Sequence, residues 1–163
     1  MLGPPRSGRG ADRENGASLL EFAVVVPLLL LLVLGIVEFG FLLAQMNEMR
    51  HGAREGARYA AVSRPDFNGD GTDGNNADVL AVTCDAVNLP GANASVALSY
   101  VDTDGAGGAQ RLEYGTVTVT IDTDTLSGVP FVNSLLPATI SNEATFRLEQ
   151  DAAWTGFGDT ACP

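Results

Sequence analysis

The hydrophobic positions of the chain are concentrated in one long early segment. An unbroken run of 16 uncharged residues, 22–37, follows Glu21, and a second apolar run covers 39–46. A helix needs about 20 mostly apolar residues to cross a hydrocarbon core about 30 Å thick. The segment 17–46 is therefore predicted to be a transmembrane helix, in which Pro27 removes one backbone hydrogen bond.

Helical spacing continues after the apolar segment, over residues 47–63. Three arginines recur there at i, i+4 and i+8 and form one basic stripe along a helix. This Arg stripe consists of Arg50, Arg54 and Arg58. Gly52 and Gly56 lie on a neighbouring face of small residues, which lets another helix approach closely. We expect a helix that continues into water, with either solvent or an acidic surface, such as the distal region of the same chain, against the stripe.

The pattern beyond residue 64 predicts a separate small domain. Residues 76–91 indicate a short helix that is capped by Asn76 and ends near Pro90. β-rich runs follow at 94–102, 115–123 and 139–150, and a Gly-rich turn joins the first two as a hairpin. The predicted fold class is therefore α+β: a long N-terminal transmembrane helix that extends into a small antiparallel β-sheet domain of three or four strands.

The distal region 64–163 carries the charge imbalance of the whole chain. It contains 14 acidic residues and three Arg, a net charge of −11, which equals that of the full sequence. Binding to nucleic acid needs clustered Lys and Arg, so nucleic acid is excluded as a partner class. Cations and basic protein surfaces remain compatible with this charge.

Cys84 and Cys162 are 78 positions apart and have no CxxC spacing or neighbouring His, which argues against a zinc site. A disulfide is predicted if the region lies outside the cytoplasm, and two buried free cysteines are the alternative. A bridge would close a loop of about 79 residues and stabilise the domain by about 4 kcal/mol in the chain-entropy treatment.

One acidic loop resembles the first half of an EF-hand calcium loop. Its oxygen-bearing residues alternate, with Gly71 at the turn, and they are Asp66, Asn68, Asp70 and Thr72. The second half departs from the motif, because Ala77 stands where a bidentate Glu is expected. A weak calcium site and a metal-free Asp/Asn/Gly turn are the two alternatives.

Catalytic patterns are lacking from the sequence. His51 lies on the Arg-rich segment, no nucleophile elbow is present, and no phosphate-binding Gly loop precedes a helix. The paired carboxylates, Asp102 with Asp104 and Asp122 with Asp124, are interpreted as residues that cap or solvate strand ends. We expect the protein not to be an enzyme and, calcium apart, to need no cofactor.

The N-terminus differs from a secretory signal peptide, because the small-residue site Gly16-Ala17 precedes the apolar run. This order resembles a type IV prepilin, whose peptidase cuts after a glycine. Counted from Ala17, Glu21 is fifth and Phe22 sixth, as in that family. The resemblance implies that the Glu21 carboxylate pairs with the α-amine of a neighbouring subunit, so that neither charge is buried alone. An acid at the headgroup boundary is the alternative.

The longer stretch 16–62 resembles the TadE-like family, pseudopilins of tight-adherence (Tad, or Flp) pilus assembly systems. The matching positions are Gly16, Glu21, Phe22, Pro27, Glu38, Phe39, Gly40 and the block 53–58. The resemblance implies a minor pseudopilin that acts structurally in pilus assembly or initiation. Its implied partners are the major pilin, other pseudopilins, the inner-membrane assembly platform and the prepilin peptidase.

The organisation that follows is a prepilin leader at 1–16, the transmembrane helix at 17–46, its continuation at 47–63 and an acidic domain at 64–163. Arg counts on the two flanks of the membrane helix are equal, so they do not set its orientation. The cleavage-site resemblance and the disulfide argument place the N-terminus in the cytoplasm and the distal domain outside it. The alternative function is a signal-anchored extracytoplasmic binding domain, calcium-dependent or not, unrelated to pili.

Overall fold

A computed structural model describes most of the chain. The described residues are 11–62, 67–72, 74–87, 93–105, 107–122, 137–152 and 154–163, with side chains from residue 16 onward. The chain divides into two compact units, Met1–Phe39 and Gly40–Pro163. The division falls within the long N-terminal helix.

The first unit contains the apolar part of helix α1, which spans Ala11–Val62 and includes Pro27. From Gly16 onward α1 is long and apolar enough to cross a membrane, and its most apolar 18-residue window has a mean hydropathy of 2.8 with no buried residue. The helix therefore fits a single-pass membrane anchor. It begins six residues before the predicted start at Ala17, because residues 11–14 include the good helix formers Ala, Arg and Glu.

The second unit combines the end of α1 with a second helix and one sheet. The helix α2 spans Asn76–Ala86 and the strands are β1 Ala94–Val101, β2 Tyr114–Asp122, β3 Thr139–Arg147 and β4 Phe157–Ala161. The sheet has the order β3-β2-β1-β4, and all of its pairs are antiparallel. The predicted α+β class and its β-rich runs are confirmed. The short strand β4 was not among those runs.

The core of this unit lies between the sheet and α1. Alternate residues of β1 and β2 point inward, so that Val96 and Leu98 pack with Val117 and Val119. The small residues of α1 that meet this layer are Ala53, Ala57 and Ala60. Trp154 closes the core, and its indole N–H donates to the Ala60 carbonyl oxygen at 3.1 Å. The sheet therefore packs on the helix, as the sequence predicted.

The start of α2 differs from the prediction by one residue. Asn75, not Asn76, is the N-cap: its side chain accepts a hydrogen bond from the Asp78 amide at 3.0 Å, and the Asp78 carboxylate accepts one from the Asn75 amide at 3.2 Å. This reciprocal capping box satisfies two otherwise unpaired amide groups. The helix ends at Ala86, before the predicted end near Pro90, which lies outside the described residues.

Helices α1 and α2 approach each other through the two glycines of the small-residue face. A Cβ placed on Gly52 would lie 2.1 Å from the Val87 side chain, and one placed on Gly56 would lie 2.1 Å from Thr83 Oγ1. Thr83 is buried, and its hydroxyl donates to the Val79 carbonyl oxygen at 2.6 Å. The helix that the small-residue face accommodates is therefore α2 of the same chain.

This close contact predicts opposite effects of alanine at two glycines of one helix. Gly56→Ala should destabilise the domain by about 1–3 kcal/mol, because Thr83 must move to relieve the overlap. In the control Gly40→Ala the added methyl group meets no atom within 4 Å. This variant should be slightly stabilised, because alanine favours a helix over glycine by about 1 kcal/mol. The unfolding midpoints of both variants are measured by heating the full chain in a neutral detergent, with near-ultraviolet circular dichroism as the signal. Equal midpoints for the two variants would contradict the packing.

Candidate functional site

The residues predicted to act in processing and assembly lie on the first turns of the apolar part of α1. Gly16, Ala17 and Glu21 are exposed, and Phe22 is 66% exposed. Residues 17 and 21 are four positions apart and share one helix face. A new α-amine at Ala17 and the Glu21 carboxylate would thus stand one turn apart in a chain cut after Gly16, both open to a neighbouring molecule.

The Arg stripe is exposed along its whole length. Arg58 forms an ion pair with Glu55 of the same helix, and Arg50 Nε donates to Asn142 Oδ1 at 3.3 Å. Arg54 makes no hydrogen bond or ion pair with any residue that the structure describes. The acids of the distal domain therefore do not cover the stripe within the described ranges, and the sequence-based suggestion of such an intramolecular partner is not met there.

The described part of the predicted calcium loop is held by its own hydrogen bonds. Asp70 Oδ1 accepts from the Thr72 amide at 2.8 Å, and Asp70 Oδ2 accepts from the side chains of Asn68 and Asn75, each at 3.1 Å. The Thr72 amide, followed by these two side chains, lowers the pKa of Asp70. Asp66 lies outside the described residues, and calcium binding remains a prediction.

Asp78 ties this loop to α2. In addition to its part in the capping box, its Oδ1 accepts from the amides of Phe67 at 2.8 Å and Asn68 at 3.0 Å. Asp78 is fully buried. A buried carboxylate is stable there only because backbone amides satisfy it. The loop conformation and the start of α2 therefore depend on one side chain.

A second group of carboxylates, at the β1–β2 connection, organises the hairpin turn. Asp102 accepts from the amides of Gly105 at 2.6 Å and Gly107 at 3.2 Å, which lowers its pKa, the Gly105 bond contributing most. Asp102 thus acts as the capping residue that the sequence suggested. Asp104 is exposed close by, and the paired Asp124 lies outside the described residues.

Glu113 is the buried member of this group, with its carboxylate within 4.8 Å of those of Asp102 and Asp104. Its Oε2 accepts from the Gln110 amide at 2.9 Å, and its Oε1 accepts from the Thr103 amide at 2.7 Å and the Thr103 hydroxyl at 3.1 Å. These bonds, the Gln110 amide first, lower the pKa of Glu113. Sequence analysis missed Glu113, because a single acid before a strand has no distinctive spacing.

Cys84 and Cys162 form a disulfide, with their Cα atoms 5.5 Å apart. The predicted pairing is confirmed. The bridge joins α2 to the residue that follows β4, and the Cys162 amide donates to the Ala94 carbonyl oxygen at 2.8 Å. The final segment is thereby fixed to both α2 and β1.

These features define a class of protein in which an apolar helix that fits a membrane anchor is joined to a disulfide-bonded α+β domain. The sequence model of the family described as TadE-like protein matches residues 16–58. The matched segment includes the Gly16-Ala17 pair, Glu21, the small-residue face and the Arg stripe. The chain is therefore similar to the TadE-like family over residues 16–58, which is consistent with a protein of Tad pilus systems. No curated protein and no solved structure matches the chain.

The hydrogen bonds to Glu113 predict that the domain loses stability in acid. A lowered pKa in the folded state means that the stabilisation is present above the ordinary value of 4.5 and is lost as the pH falls through the folded-state pKa. Glu113→Gln should destabilise the domain at neutral pH, since its new NH₂ group would face an amide donor, and should flatten the decline below 4.5. Unfolding midpoints from neutral pH into acid measure both effects. The exposed Glu143→Gln is the control, and an equally steep decline for the Glu113 variant would contradict the assignment.

Proposed function

We propose that the chain is a minor pseudopilin that acts structurally in the assembly or initiation of a Tad-type pilus. The observation that carries this proposal is the exposed Glu21, four residues after Ala17 on an apolar helix, within the segment that matches the TadE-like family. In this role a prepilin peptidase cuts between Gly16 and Ala17. The protein then works by packing with other subunits and not by catalysis.

The physical support for this role is the cost of an unpaired carboxylate at an apolar helix face. A charged residue costs about 3 kcal/mol at the centre of a membrane helix and less near its end, where Glu21 lies, and charged residues within membrane helices tend to be functional. The α-amine that cleavage creates on Ala17 supplies a positive charge in the same layer. When helices of several subunits pack together, pairing of amine and carboxylate neutralises both groups. The charge pair therefore links processing to assembly.

The proposed topology has the N-terminus in the cytoplasm and the domain formed by α2 and the sheet outside the membrane. The Cys84–Cys162 bridge supports it, because disulfides persist in oxidising compartments. The proposed partners are the major pilin, other pseudopilins, the inner-membrane platform and the prepilin peptidase. Exposed surfaces of the domain are then available for contacts with other extracytoplasmic subunits.

The first test is the N-terminus of the mature protein. In cells that possess the prepilin peptidase, the chain should begin ASLLEF, which N-terminal sequencing or mass spectrometry reads directly. Gly16→Val should block cleavage. Gly35→Val, at another exposed α1 glycine with no atom near its Cβ position, should not. An intact residue 1 in such cells would favour the alternative, a signal-anchored binding domain unrelated to pili.

The second test separates assembly from processing. Glu21→Ala should leave membrane insertion and cleavage intact, since it removes only the charge proposed to pair between subunits, and should reduce the pili recovered by shearing. Ser18→Ala, at an exposed polar residue of the same helix, serves as the control. Normal piliation by the Glu21 variant would show that this carboxylate merely sits at the membrane boundary.

A further inference from the structure

In the second unit, α1 presents the exposed side chains of the Arg stripe. A neighbouring face of the helix is buried in the core through Ala53 and Ala57, and each of these residues precedes an exposed residue of the Arg stripe. One of its charges is offset by the neighbouring Glu55. Arg54, in the middle of the stripe, has no partner among the described residues. The stripe is thus an exposed basic surface on an otherwise strongly acidic domain.

A second exposed surface lies at the hairpin end of the sheet, where β1 ends and β2 begins. Val101 is 61% exposed, Leu112 53% and Tyr114 56%, and Val101 pairs directly with Tyr114 across the two strands. Asp102 and Asp104 are exposed beside them. We name these five residues the hairpin face. Clustered exposed apolar side chains with a polar rim are typical of protein interaction sites.

The surroundings of the hairpin face are acidic on balance. Glu113 and Asp151 add two carboxylates, the latter accepting from the Arg111 amide at 2.9 Å. The positive groups nearby are Arg111 and Arg147, and Arg147 Nε donates to the Leu112 carbonyl oxygen at 3.2 Å. Four carboxylates against two guanidinium groups leave this end of the sheet negative.

We propose that the Arg stripe of one copy docks against the hairpin face of a second copy. The proposal rests on the pseudopilin function and names a contact between subunits outside the membrane. Domains with a net charge of −11 repel one another unless a basic surface lies between them, and the stripe is such a surface. Its location on a different part of the domain from the hairpin face makes the contact heterologous, a geometry that can repeat from copy to copy.

The chemistry of the two surfaces favours protein over lipid as the occupant. Arg side chains have apolar stems that can cover Val101 and Leu112 while their guanidinium groups reach Asp102 and Asp104. The chain already shows such a combination, because the Arg147 guanidinium lies 5.8 Å from the centre of the Tyr114 ring. An anionic membrane surface would match the charge of the stripe but would leave the apolar side chains of the hairpin face uncovered.

The contact is tested by reversing a charge on the Arg stripe, then one on the hairpin face, and then both charges in the same chain. Self-association of the full-length chain is measured by sedimentation equilibrium in a density-matched neutral detergent. Arg54→Glu and Asp104→Arg should each raise the dissociation constant about tenfold or more, because like charges then meet. The double variant should recover association towards the wild type. Added salt should weaken the wild-type contact by screening.

The controls keep the charge or move the reversal elsewhere. Arg54→Lys should associate nearly as the wild type does, and so should Glu143→Arg, at an exposed position four residue pairs along β3 from the Tyr114–Arg147 pair. Near-ultraviolet circular dichroism verifies that each variant is folded. A monomeric wild-type chain, unchanged association of both single variants, or a double variant no better than either single one would overturn the contact.

Lipid binding by the Arg stripe gives a different result in the same variants. If Arg54→Glu abolishes binding to phosphatidylglycerol vesicles and leaves self-association unchanged, the stripe binds lipid and the contact is wrong. Cleavage between Gly16 and Ala17 is measured for the same variants. If the chain is cut before Ala17 but associates independently of these charges, the proposed contact is wrong and the pseudopilin function stands. If the chain is not cut but its association depends on these charges, the pseudopilin function is wrong and the contact stands.

Discussion

The close approach of α1 and α2 is the constraint on which the second unit depends. Two glycines of α1 leave no room for a side chain, so Thr83 and Val87 lie directly against the backbone of α1. This contact positions Cys84, one residue beyond Thr83, and orients the start of α2, where Asp78 holds the preceding loop. Small residues on one helix thus determine where a disulfide, a capping box and an acidic loop are placed.

The remaining stability of this unit comes from the sheet covering the same helix. The inward side chains of β1 and β2 are buried against the alanines of α1, and Trp154 fills the end of that layer with contacts to Tyr100 and Phe146. A small sheet with one apolar face is marginal without such a cover. The helix therefore serves the domain in two ways, as the support of the sheet on one face and as an exposed charged surface on a neighbouring face.

The features that could be predicted from the sequence are those with a local periodic signal. The apolar run of α1, the alternation in β1, β2 and β3, and the i, i+4 spacing of the arginines each follow from side-chain period. Strand β4 was missed because FGDTA contains Gly158 and Asp159, which are typical of turns, and pairs only through tertiary contact with β1. Glu113 was missed for a related reason, since its burial depends on a turn that the chain forms around it.

The arrangement of β4 also has a consequence for the order in which the chain matures. Strand β1 pairs with β2 on one side and with β4 on the other, and the disulfide joins positions 78 residues apart. Since synthesis proceeds from the N-terminus, β1 keeps one edge open until residues 157–162 emerge, and open edges are templates for aggregation. A chain interrupted before Phe157 would retain both the open edge of β1 and an unpaired Cys84 on α2. The bridge thus marks molecules in which synthesis has passed residue 162.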